Sequence, residues 1–159
     1  MSTDHSPAYS LDPEAHRRLA VDLFNDTWRL MEKTDRTAAD DDLMIHTAHA
    51  SAYHWMQVGT IVHRVRSEWQ CSRMYTVLGR AEPALVHARR ALELCEQTGT
   101  EMEDWDLPFC YEAMARSHAV AGDLEEARRW IERGRDAAAS IADDDDRELV
   151  LKDLATVPI

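Results

Sequence analysis

One short passage occurs twice in this chain. Leu78-Gly79-Arg80-Ala81-Glu82-Pro83-Ala84 and Ala121-Gly122-Asp123-Leu124-Glu125-Glu126-Ala127 stand 43 residues apart, glycine to glycine. Glu82 and Glu125, Ala84 and Ala127, and Arg90 and Arg133 keep the same offset. In each copy an amphipathic run stops at a glycine, a short acidic turn follows, and a second amphipathic run begins. A glycine lets the chain leave a helix through a left-handed conformation, and an acidic residue just beyond it is a start signal for the next helix. Each passage therefore predicts a helical hairpin, and its recurrence predicts stacked hairpins.

The rest of the chain is consistent with helices alone. It has 159 residues, 45% of them apolar and 30% charged, with only five glycines and five prolines. That length suits a single domain with a core of its own, here residues 11–159, preceded by a flexible tail over residues 1–10. Asp12-Pro13-Glu14 is a helix start, with a capping carboxylate followed by proline where its missing N–H costs nothing. Apolar residues at helical spacing carry that helix to about residue 33. Further helices are expected over about 41–58, 61–78, 82–97, 108–121 and 123–140. The acidic run Asp143 to Asp146 then caps a last one ending near Thr156. The expected fold is all-α, with about seven helices. Residues 34–40 and 99–108 read as connections, with Trp105 as an anchor in the second.

The residues around the duplicated turns resemble the tetratricopeptide repeat. Ser72, Tyr75, Gly79, Ala84 and Ala91 match its pattern of small and aromatic residues in the first copy; Tyr111, Ala115, Gly122 and Ala127 match in the second. Small side chains at such positions let two helix axes approach to about 8–10 Å. The chain departs from the pattern in its period of 43, against about 34 in that family. His118 stands where an aromatic is usual, Gly134 replaces the alanine matching Ala91, and Glu68 occupies a large apolar position. The resemblance covers roughly residues 65–140. It implies a right-handed stack of antiparallel hairpins whose concave groove binds a peptide or partner protein. A small anionic molecule is the further expectation that its arginines add.

On that reading, the groove-facing stripe of the third helix is Arg66, Trp69, Arg73 and Val77, and that of the fifth is Phe109, Glu112, Arg116 and Val120. Arg73 and Arg116 are equivalent positions of neighbouring repeats, so two guanidiniums lie side by side where they can clamp a carboxylate or phosphate. Trp69 offers an apolar wall beside them. The expected ligand-binding set is Arg73, Arg116, Trp69 and Glu112. The plainer alternative treats Glu112–Arg116 and Glu68–Arg73 as structural pairs. The tryptophans are expected mainly in the core.

A second cluster lies on the second helix. Asp42, His46, His49 and Tyr53 share one stripe, while His54 points elsewhere. With Glu68 from the next helix, His49, Tyr53 and His54 form the candidate catalytic set of an alternative reading, a small-molecule enzyme working by acid–base chemistry. In a metal-dependent version His46 and His49 begin a site for a divalent transition metal, completed by Glu68, His87 or His118. No H-E-x-x-H, phosphate-binding glycine loop or serine elbow accompanies them, and the leading expectation is no cofactor.

The formal charge of −12 argues against nucleic acid as a partner, since that needs a basic footprint. Residues 60–97 are nonetheless mildly basic, with six arginines against four glutamates. Three cysteines without a C-x-x-C pair suggest core thiols in a reducing compartment. With no signal pattern and no long apolar run, the expectation is a cytoplasmic protein not associated with membranes. Self-association through exposed end faces, giving a homo-oligomer, is the remaining expectation.

Overall fold

The helices begin where side chains can satisfy the first orphan N–H groups. The computed structural model describes residues 10–159, and within them the chain forms seven helices and no strand. The expected tail over residues 1–10 falls almost wholly outside the described residues. In α1 (Pro13–Glu32) the carboxylate of Asp12 accepts from Ala15 N at 2.8 Å, with proline in the first turn. α2 (Ala38–Val58) starts three residues before the expected position because Thr37 and Asp40 form a reciprocal capping box. Lys33 Nζ also reaches Asp40 Oδ2 at 2.7 Å, closing the connection from α1.

α3 (Ile61–Val77) and α4 (Ala81–Gln97) form the next hairpin, α5 (Asp106–Val120) and α6 (Leu124–Ala138) the third. Their two turns have the same hydrogen bonds. Gly79 N donates to Thr76 O and Arg80 N to Tyr75 O; Gly122 N donates to Ala119 O and Asp123 N to His118 O. Both glycines have positive φ, 69° and 82°, as this helix-ending motif requires. α5 begins at Asp106, two residues earlier than its sequence pattern suggests. α7 (Asp144–Ala155) is capped by Asp143, which accepts from the N–H groups of Asp145 and Asp146.

Each helix packs on its neighbour in sequence, and α1 also packs on α3, α3 on α5 and α5 on α7. Among the described residues no two even-numbered helices bring their backbones close, although the rings of His49 on α2 and His87 on α4 meet. The apolar interior follows this order. Met31, Met44, Cys71 and Met74 fill the space among α1, α2 and α3; Val65, Ala88, Leu92 and Met114 that among α3, α4 and α5; Ile131, Val150 and Leu154 that among α5, α6 and α7. Ser72, Ala84, Ala91, Ala115 and Ala127 are fully buried, as close helix crossing demands. Gly134 has a specific reason for lacking a side chain: a Cβ there would lie 2.9 Å from the Leu154 side chain of α7. No helix among the described residues is long and apolar enough to cross a membrane.

Candidate binding face

The odd-numbered helices share one face, and two of the pockets are lined by it without any residue of an even-numbered helix. The larger is a cavity of about 290 Å³. α1 supplies Phe24 and Trp28, α3 supplies Val65, Arg66 and Trp69, and the start of α5 supplies Trp105, Asp106, Phe109 and Cys110. These side chains are held from behind. Gln70, one residue past Trp69 and itself buried, donates from Nε2 to Phe24 O at 2.9 Å, tying α3 to the backbone of α1. Ser72 and Ser117 share a hydrogen bond at 3.1 Å across α3 and α5.

At the edge of this cavity Arg66 donates from Nε and Nη2 to the two oxygens of Asp106, at 3.0 and 3.1 Å. Its guanidinium also lies over Trp105, 4.2 Å from the ring centre. Asp106 is only 3% exposed, and it accepts from Glu103 N as well. A bidentate charged pair with an aromatic stacked on it is a rigid rim, because each contact restricts the next.

The second pocket is smaller, about 160 Å³, and is lined by Arg73, Thr76, Val77, Arg116, Val120 and Pro158. The two stripes read from the sequence thus divide between the pockets. Arg66, Trp69 and Phe109 line the first; Arg73, Val77, Arg116 and Val120 line the second. Between them lies Glu112, which is 0% exposed. Arg73 Nη1 and Arg116 Nε both donate to its Oε1. Arg116 also donates from Nη2 to Asp153 O and Thr156 Oγ1, so it caps the end of α7. The two guanidiniums do converge, but on an internal carboxylate and on α7. Glu112 Oε2 and Trp69 Nε1 are buried without hydrogen-bond partners.

The histidine cluster divides in two. His49 meets Glu68 only through intermediaries: His49 Nε2 hydrogen-bonds Tyr75 Oη at 2.8 Å, His87 Nδ1 donates to Glu68 Oε2 at 2.6 Å, and the His87 ring lies against both His49 and Tyr75. Glu68 therefore pairs with His87 on α4. Burial and the neighbouring His87 push the His49 pKa below 6.5. His54 instead shares a 2.8 Å hydrogen bond with His16 on α1, and Tyr53 packs edge-on against His54. His46 is exposed. Among the described residues no group of three or more histidine, cysteine or acidic side chains could hold a metal ion.

Sequence reasoning placed Arg66, Trp69 and Phe109 on this face but missed Phe24, Trp28, Trp105 and Asp106. The repeat did not mark the last two: at its offset of 43 residues Trp105 and Asp106 correspond to Val62 and His63, which suggest no site. Nothing in the spacing of α1 marks Phe24 and Trp28. Comparison with family models, with curated proteins and with solved structures gives no match.

Proposed function

We propose that the chain is a non-catalytic binding module of tetratricopeptide-like build, and that its odd-helix face takes a partner segment with one side chain seated in the larger pocket. The observation that carries this reading is the convergence of five aromatic rings from α1, α3 and the start of α5 on a single cavity. Trp28, Trp69, Phe109 and Trp105 contact one another in sequence, with ring centres 5.6–6.1 Å apart, and still line a cavity. A volume of about 290 Å³ is near the lower end for ligand pockets, about 300 Å³, and fits one side chain better than a whole cofactor.

The arrangement of the helices supports the repeat reading. Odd helices bring their backbones close, whereas even helices do not and α2 meets α4 through the His49 and His87 rings. Backbone approach on one side bends a stack toward that side and makes it concave. The right-handed sense implied by the resemblance belongs to this proposal. A small anionic ligand is the weaker version of it, because Glu112 already supplies a carboxylate to Arg73 and Arg116.

Selection of peptides from a displayed random library on the full chain tests the reading. Selected peptides should lose binding to Trp69→Ala and to Phe109→Ala while binding His49→Ala normally. Peptides indifferent to both pocket substitutions would overturn it.

The competing reading is an acid–base enzyme without metal, and one observation favours it: Glu68 orients His87 beside the His49–Tyr75 pair. An oriented imidazole is the usual general base. Hydrolysis of p-nitrophenyl acetate above the rate of free imidazole, abolished in His87→Gln, would support it. A rate unchanged by that substitution would remove it.

A further inference from the structure

The walls of the larger pocket meet at steep angles. Trp69 and Phe109 cross at 67° and Trp105 and Phe109 at 82°, while Trp28 is tilted by 38° to Trp69. Parallel walls grip a flat ring. Crossed walls turn several ring faces toward one compact guest. Each face carries the negative part of the aromatic quadrupole, so a compact guest among several faces is favoured when it is a cation. The protein already uses one of these faces in that way, with Arg66 over Trp105.

Charge points in the same direction. The Arg66 guanidinium is neutralised by its two bonds to Asp106, so the rim has no net charge. The whole chain carries −12, and its field attracts cations and repels anions. The nature of the cation follows from desolvation. A primary ammonium gives up strong hydration that aromatic walls do not replace. A trimethylated ammonium spreads its charge over methyl groups, is weakly hydrated, and presents an apolar surface to the rings.

Resting on the binding-face reading above, we propose that the pocket recognises a trimethylated lysine in the partner segment. Trp28, Trp69 and Trp105 supply the ring faces, and the Arg66–Asp106 pair holds Trp105 in place.

The test uses tryptophan fluorescence of the full chain and three short peptides alike except at one position. One carries trimethyllysine, one unmodified lysine, and one the uncharged isostere in which carbon replaces the quaternary nitrogen. The trimethyllysine peptide should give a saturable response about thirtyfold tighter than either of the others, the scale of one desolvated cation–π contact. Trp28→Leu and, independently, Trp105→Leu should remove that preference; the wild-type comparison stands even where a variant folds poorly. Equal affinity for the trimethyllysine peptide and its isostere would overturn the cation proposal while leaving an apolar side-chain pocket, so the broader reading would survive. No saturable response to the trimethyllysine peptide would also overturn it. Choline binding as tightly as the peptide would overturn the partner-segment assignment in favour of a small organic cation.

Discussion

Arg73 and Arg116 donate to the same oxygen, Glu112 Oε1, at 2.9 and 2.5 Å. The two arginines come from α3 and α5, and Arg116 continues to the carbonyl of Asp153 in α7. One buried carboxylate therefore links three successive odd helices.

Removing that charge should cost stability. Glu112→Gln leaves two largely buried guanidiniums facing a neutral amide, and breaking a buried ion pair from one side costs about 3–5 kcal/mol. Urea unfolding should show a drop of about 3 kcal/mol or more, and Arg73→Ala with Arg116→Ala should destabilise by a similar amount. A double variant as stable as the wild type would mean that the arginines are free to serve a ligand, as the sequence alone suggests.

Stability should fall on acidification through the histidine range. Burial lowers the pKa values of His49, His54 and His63 below 6.5, with His87, His16 and Arg17 respectively adding charge repulsion. Below pH 6.5 the unfolded chain takes up protons that these folded sites resist. The stabilisation is therefore complete above that pH and is lost as pH falls toward the lower folded values. The His16–His54 bond adds to the effect, since it needs one ring nitrogen without a proton. Chemical unfolding should have a lower midpoint at about pH 5.5 than at about pH 7.5, and His49→Gln should reduce the difference. A midpoint that rises on acidification would contradict this.

The three thiols should differ in reactivity. Burial pushes the Cys71 thiol up to about 12. Cys110 is raised by its hydrogen bond to Cys95 and by burial, whereas the same bond lowers Cys95. Cys95 also borders the cavity beside the 98–104 connection. Thiolate is the reactive form. Iodoacetamide labelling of the native protein, followed by peptide mass spectrometry, should modify Cys95 first and Cys71 only on unfolding.

The helices were legible in the sequence because capping residues and apolar spacing act locally. Gly79 and Gly122 announced their turns without reference to anything distant. α2 and α5 began earlier than expected because Asp40 and Asp106 accept hydrogen bonds from Thr37 and Glu103 at the helix starts, a detail below the resolution of periodicity. The face itself was half legible. Arg66, Trp69 and Phe109 lie on repeated stripes, so their approach followed from the offset. Phe24 and Trp28 belong to a hairpin with no visible copy of the repeat, and only the packing of α1 on α3 brings them to the pocket. The capture of Arg73 and Arg116 by Glu112 was also hidden, because a stripe shows which side chains are neighbours and not which of them pair.

The most direct test of the binding face observes the five tryptophans separately. Trp28, Trp69 and Trp105 line the larger pocket, while Trp55 packs with His63 and Trp130 with Tyr111. Each indole N–H gives its own signal in a proton–nitrogen correlation spectrum of the labelled full chain. Titration with a peptide selected on the protein should shift the signals of Trp28, Trp69 and Trp105 and leave those of Trp55 and Trp130 in place. Shifts confined to Trp55 or Trp130, or equal shifts at all five, would place binding elsewhere and contradict the account.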